Sequence, residues 1–264
     1  ISMKVIFISR TNLTALAVIV AALFFIFVNA LLNQNSIAQV SGTYRDDIPI
    51  YSVETDEKKC AVTFDCAWGA DDIPNILDIL DRYHAKATFF IVGTWAEKYS
   101  GMVKLMAERG HEIANHGYSH LHMASIPEDK IAEEISRCTE LLEKLSGQKV
   151  RLFRPPYGEY NSKVVKVARQ LGYDTIQWDV DSLDWKKEIT RENIINRVVK
   201  KTGKGSIILF HNDTLYTQEV LPDILESLAE SGFDFVTVSD LLIKDPYRIR
   251  YDGRQVPAAR HSVA

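Results

Sequence analysis

Ala61-Val62-Thr63-Phe64-Asp65-Cys66-Ala67-Trp68-Gly69 is the stretch whose reading decides the fold. Apolar and strand-favouring residues run up to Asp65. Small residues then lead into a helix start, Asp71-Asp72-Ile73-Pro74, with a proline suited to a first turn. A carboxylate at the end of a buried strand is costly without partners. Four further strand patterns end in the same way. Asn115-His116 closes Glu112-Ile113-Ala114, with His120 four residues on, and Arg154 closes Val150-Arg151-Leu152-Phe153 and runs into Pro155-Pro156-Tyr157-Gly158. Asp179 and Asp181 follow Thr175-Ile176-Gln177-Trp178, and His211 closes Ser206-Ile207-Ile208-Leu209-Phe210. Strand ends bearing Asp, His, Arg, Asp and His read as one active site.

Outward from that stretch, strand and helix patterns alternate. Strands are expected at 60–65, 86–92, 111–115, 150–154, 173–180, 206–210 and 233–238. Helices are expected at 72–83, 95–109, 127–146, 161–171, 190–202 and 217–231. Such alternation predicts an α/β fold with a parallel sheet or barrel. Polar residues at the C-terminal ends of several strands fit a barrel, where chemistry gathers at that rim. An open doubly wound sheet would gather ligands at one switch point. No glycine-rich phosphate loop follows any strand, so no nucleotide cofactor is expected.

The chain of 264 residues is 46% apolar and 25% charged, as ordinary globular proteins are. Its N-terminal part is different. Residues 12–32 carry no charge, and 13–32 are almost wholly apolar, about the 20 residues that span a bilayer as a helix. Lys4 and Arg10 precede this run, which predicts a single-pass anchor with the following domain outside the cytoplasm. Ser36-Ile37-Ala38 resembles a cleavage site, so a cleaved signal segment and a secreted domain is the competing reading.

Residues 1–38 are thus read as anchor, 39–57 as linker, 58–244 as the domain, and 245–264 as a flexible basic tail. Beyond residue 44 the chain holds 29 basic and 35 acidic side chains, a net of −6. That balance argues against nucleic-acid binding, which needs a basic footprint. Three cysteines make no disulfide framework. Cys60 and Cys66 flank one strand, roughly 20 Å apart, and Cys138 sits in a helical pattern.

The residue types at the strand ends permit metal-assisted hydrolysis. His116 and His120, four apart in one turn, fall on one face and suit a divalent metal. His84, His111 and His122 lack such a setting and are read as surface or loop residues. Asp65 beside a metal suits a general base for bound water, or else a helix cap. Arg154 offers a planar fork to hold a carboxylate. Pro155-Pro156 makes a rigid turn that would aim the Tyr157 amide at a developing oxyanion. His211 suits the general acid, oriented by Asp179, Asp181 or Asp184, and Trp178 and Trp185 could line a sugar-sized pocket.

These residues form five ordered motifs: Thr63-Phe64-Asp65, His116-Gly117-Tyr118-Ser119-His120, Arg154-Pro155-Pro156-Tyr157-Gly158, Asp181-Ser182-Leu183-Asp184-Trp185 and Leu209-Phe210-His211. Over roughly residues 58–242 the sequence resembles polysaccharide deacetylases with a NodB homology domain, carbohydrate esterase family 4. The resemblance implies a distorted (β/α) barrel of about seven parallel strands, here preceded by one transmembrane helix. It implies removal of N-acetyl groups from a cell-wall glycan, peptidoglycan or chitin-like. Asp65 would be base, His211 acid, and His116 and His120 ligands of a divalent metal, zinc or else cobalt. Arg154 would position Asp65, while Asp184, Trp185, Pro156 and Tyr157 would support the acid and the acetyl pocket.

One position departs from the family pattern. Where most members place a second aspartate, as third metal ligand, this chain has Cys66. A thiolate can bind zinc. Cysteine is one atom shorter, however, and a Zn–S bond of about 2.3 Å recovers only part of that reach. The Asp65-Cys66-Ala67-Trp68-Gly69 run also resembles the sporulation-associated branch. Two other readings stand beside the deacetylase: a catalytically silent NodB domain that binds glycan or a cell-wall assembly partner, and a glycosidase pairing Asp65 with Asp181 or Asp184.

Overall fold

The computed structural model describes residue 24, residues 44–244 and residues 246–258. The expected anchor lies outside these apart from Phe24, which is helical and exposed. Among the described residues no helix is long and apolar enough to cross a membrane.

The strands are β1 (Ser52–Val53), β2 (Lys59–Cys66), β3 (Ala87–Ile91), β4 (Glu112–Asn115), β5 (Leu152–Phe153), β6 (Asp174–Thr175), β7 (Val180–Asp181), β8 (Ile207–His211), β9 (Asp234–Phe235), β10 (Tyr247–Ile249) and β11 (Arg254–Pro257). Between them run α1 (Ile73–Arg82), α2 (Gly93–Lys98), α3 (Ser100–Glu108), α4 (Glu128–Ser146), α5 (Ser162–Gln170), α6 (Arg191–Lys201), α7 (Thr217–Glu230) and α8 (Val238–Leu241). β2 to β8 form a curled parallel sheet in the order β6-β5-β4-β3-β2-β8-β7, and β9 pairs with the start of β2. The expected α/β class and parallel strands are therefore present. The helix expected over 95–109 is two, because Tyr99 leaves helical geometry at φ −120°, ψ 42°.

The strand expected over 173–180 is two short pieces, for a topological reason. β6 pairs with β5 and β7 with β8, the two ends of the sheet, so this one stretch crosses the gap between them. On the way its amides turn to new partners: Gln177 N–H donates to the Ile50 carbonyl at 2.7 Å and Asp179 N–H to Ile207 at 3.2 Å.

The segment expected as linker completes the same closure. Ile50 bridges Ile176, and Ser52 bridges Ser206. Ile48, Ile50 and Val53 are buried. Val53 N–H donates to the Gly205 carbonyl at 2.9 Å. Gly205 has φ +78°, and a Cβ there would lie 1.8 Å from the Val53 oxygen, so only glycine permits the approach. The stretch expected as a flexible tail also carries structure. β10 and β11 are antiparallel, and β11 runs parallel to β1. Gln255 is fully buried, its amide bonded both ways to the Ile243 backbone. Residues 45–57 and 246–258 thus pack with the sheet, outside the expected domain bounds of 58 to 244.

Strand alternation divides the core in two. Cys60, Val62, Phe64 and Cys66 of β2 pack outward with Phe89, Phe210 and the helices. Phe64 stacks on Phe89 and Phe210, with ring centroids 5.1 and 5.7 Å away. Ala61 faces the other way, with Phe90, Ala114, Leu152, Ile207 and the α8 residues Val238 and Leu241. On that inner side of β2, Thr63 and Asp65 come next toward the C-terminal rim.

Candidate active site

Asp65 is 6% exposed and sits in register with His211 on β8. Arg154, fully buried just beyond β5, donates from one guanidinium nitrogen to Asp65 Oδ1 at 2.7 Å and to Thr63 Oγ1 at 2.9 Å. Its other terminal nitrogen donates to the Gln177 carbonyl at 3.1 Å. The guanidinium plane lies over Phe90, 3.9 Å from the ring centroid. Burial would raise the Asp65 pKa, but the charge and hydrogen bond of Arg154, the nearest cation, outweigh it and hold the carboxyl below its usual range. Asp65 is therefore ionised. It is not a helix cap: α1 begins at Ile73, beyond the Ala67–Gly69 loop.

His116 follows β4, fully buried. Its Nδ1 lies 2.7 Å from the Arg154 carbonyl, which can only accept, so Nδ1 carries the proton. Burial pushes its pKa down despite Asp65, and the ring is neutral. Its Nε2 is then a lone pair only 3.4 Å from Asp65 Oδ2. Two acceptors facing each other at that distance call for a proton, a water or a cation on them. His120 lies edge-on to His116, with centroids 5.2 Å apart, and burial lowers its pKa to about 4, so it too offers a lone pair at neutral pH. The loop that carries both is tied down by Glu134 of α4, whose carboxylate accepts the Tyr118 and Ser119 amides at 3.0 and 2.6 Å.

Cys66 does not join them. Alternation turns it to the outer face, where it is fully buried among apolar side chains. Burial, then Asp72 and Asp65, push its thiol pKa well above 9. The third metal ligand expected from the sequence is thus absent from the cavity. Among the described residues no group of three or more His, Cys, Asp or Glu side chains is placed to hold a metal ion.

Opposite Asp65, His211 is held twice by Asp184, whose two oxygens accept from its ring Nδ1 and from its backbone amide, each at 2.8 Å. Thr217 also donates to that carboxylate, at 2.6 Å. Burial would lower the His211 pKa, but the bond to Asp184, its charge and those of Asp65 and Asp181 raise it overall. Of the candidate orienting carboxylates, Asp184 has the role. Asp179 instead accepts from Ser206 Oγ and the Ile207 amide, a structural tie across the sheet.

Asp65, His116, His120 and His211 line a cavity of about 430 Å³ together with Trp68, Tyr157, Trp178, Asp181, Trp185 and Leu209. Pro156 is buried and starts a short 3₁₀ turn in which Tyr157 takes φ +62°. Tyr157 is half exposed, packed between His120 and His122, with centroids 4.4 and 4.2 Å away. Trp185 is likewise half exposed.

Some contributors were not legible as site residues. Trp68 lines the cavity from inside the leading motif, and Thr63 fixes Arg154. His122 is the exposed loop residue expected; it stacks on Tyr157 and bonds Glu159 at 2.8 Å, outside the cavity lining. His111, also expected at the surface, is buried beneath β3 with its Nδ1 on the Ala87 amide, and it plays no part in the cavity.

A family model described as polysaccharide deacetylase matches residues 52–176. A peptidoglycan-N-acetylglucosamine deacetylase of Bacillus cereus is 38% identical over 197 residues, 73% of this chain and 92% of that protein. The chain belongs to the polysaccharide deacetylase family. A second deacetylase, PdaA of Bacillus subtilis, named for peptidoglycan N-acetylmuramic acid, is 29% identical over 75% of this chain and 77% of its own. Among solved structures, a family 4 pseudoenzyme from Bacillus anthracis superposes with a TM-score of 0.71 at 31% identity, over 80% of this chain and 74% of that one. The deacetylase family thus holds both active members and members described as lacking activity.

Proposed function

We propose that this protein removes N-acetyl groups from amino sugars of a cell-wall glycan, with Asp65 as base and His211 as acid. The observation that carries the reading is a pair of oppositely supported groups across one cavity. Arg154 bonds Asp65 and favours its ionised form, while Asp184 bonds His211 and favours its protonated form, which is the bias a base and an acid acting together need. Asp65 takes the proton from an attacking water as it adds to the acetyl carbon. His211 then gives its proton to the leaving amine nitrogen, so that acetate and a free amino sugar depart. The Tyr157 amide, on the turn that Pro156 starts beside the cavity, would donate to the oxyanion. Trp68, Trp178 and Trp185 give the sugar ring apolar walls.

His116 and His120 would hold a divalent cation, zinc or cobalt, through their unprotonated nitrogens. When bound, such a cation lowers the pKa of water and polarises the carbonyl. Two imidazoles without a third protein ligand suit loose rather than tight retention. The uncharged 13–32 segment supports an exported, membrane-tethered protein acting on the wall outside.

A silent glycan-binding domain is the second reading, favoured by Cys66 being turned away from the two histidines. A glycosidase pairing Asp65 with Asp181 or Asp184 is disfavoured, because it leaves His116, His120 and Arg154 without a role, and His211 and Thr217 already occupy Asp184. Acetate release from peptidoglycan by the full chain separates these readings. Release that falls by about 10²–10⁴ in Asp65→Asn, the usual contribution of a general base, supports the deacetylase. Retention of the polymer without release supports the silent domain.

A further inference from the structure

β8 lies between β2 and β7 in the sheet, with Asp65 in register with His211 and Asp181 in register with Leu209. Register partners in a parallel pair share a face, and Leu209 and His211, two apart on one strand, share it too. His211 therefore has Asp65 on one side and Asp181 on the other, and all three line the catalytic cavity.

The carboxylates at this rim differ in what they hold. Asp65 is paired with Arg154 at 2.7 Å and Asp184 with His211 at 2.8 Å. Asp181 has no such partner. Its Oδ1 accepts the Leu183 amide at 2.8 Å, in a turn where Leu183 takes φ +61°. Arg197 donates at 2.6 Å to the Asp181 backbone carbonyl, not to its side chain. Among the described residues no hydrogen bond or ion pair uses the second side-chain oxygen. No lysine or arginine lines this cavity. An adjoining cavity of about 400 Å³ shares Trp68, Trp185 and His211 with it, and carries both signs in Asp213, Lys186 and Lys187.

Deacetylation would supply the missing cation. Over a turnover the C–N bond breaks with its electron pair on nitrogen. Both protons of the attacking water end there, one by way of His211, and ammonium and acetate depart. Positive charge thus develops on the nitrogen that His211 protonates.

We infer that Asp181 binds the leaving nitrogen: its free oxygen accepts an N–H as His211 delivers the proton, and then holds the ammonium of the product. This rests on the deacetylase reading. An acetylated nitrogen carries no charge for that oxygen, so Asp181 favours the amine form of the sugar over the acetylated one.

D181N is the variant for the test, because its carbonyl oxygen can still accept the Leu183 amide and only the charge is lost. Acetate release by the full chain from an acetylated chitin trimer is measured with the fully deacetylated trimer as competitor. In D181N the inhibition constant of the competitor should rise roughly three- to tenfold, the scale of one ion pair, while KM for the acetylated trimer stays within about twofold. An inhibition constant that is unchanged, or that rises only as KM does, overturns the assignment. Calorimetry of both trimers in chelator, where no metal can take the amine, gives a readout without any variant. Salt should weaken the deacetylated trimer more than the acetylated one in the wild type, and equal weakening overturns the assignment. If the wild type releases no acetate, the deacetylase reading fails and calorimetry decides the amine site. A deacetylated-to-acetylated affinity ratio that falls in D181N supports it, and an equal ratio overturns it.

Discussion

His211 shows how a single neighbour sets the chemistry of a residue. Burial alone would discharge its ring, but Asp184 raises its pKa above the ordinary 6.5. A general acid must be protonated, so deacetylation should fall as pH rises through that raised value. In Asp184→Asn the raising charge is gone, and the descending limb of the kcat/KM profile should move down by at least about one pH unit. An unmoved limb would mean that another group is the acid. Cys66 shows the limit of reading a motif letter by letter. Its place after Asp65 marked it as a ligand candidate, but a one-residue step along a strand reverses the side chain. Cys66→Ser should leave zinc affinity within about twofold while lowering stability by about 1–3 kcal/mol, the cost of a buried hydroxyl without a partner. A tenfold loss of zinc at equilibrium dialysis would show thiolate ligation after all.

Secondary elements differ in how plainly they announce themselves. Strands β2 and β8 are long apolar runs that reach Asp65 and His211, and β3 is one that ends at Val92-Gly93; all three stand where the pattern puts them. The helices between them carry proline, glycine and asparagine end signals. The pieces that close the barrel were not legible, because each is short and pairs with something distant in sequence. Ile48, Ile50 and Val53 sit among polar neighbours and look like linker until Thr175, Ile207 and Gly205 are brought beside them. The arginine-rich stretch after Tyr247 likewise looks solvated, although it forms a hairpin on β1. This has a measurable consequence. Each of the three apolar side chains is worth roughly 1.5–3 kcal/mol when buried. A chain of residues 58–264 should unfold at clearly lower urea than one of residues 45–264, by circular dichroism. Equal midpoints would show that the 45–57 segment does not close the barrel.

At the scale of the molecule, a curled parallel sheet delivers Asp65, His116, Arg154 and His211 from four strand ends to one rim, and two cavities meet there. The motif order was enough to name these residues and the family. It was not enough to show that His116 Nε2 and Asp65 Oδ2 face each other at 3.4 Å. That confrontation supports the proposed cation, which His116 and His120 would hold through two imidazoles. Acetate release from peptidoglycan by the full chain, before chelation, after chelation and after zinc is returned, tests this most directly. The account predicts release that chelator abolishes and zinc restores, with micromolar rather than nanomolar zinc required. Release indifferent to chelator, or none at any zinc concentration, would contradict it.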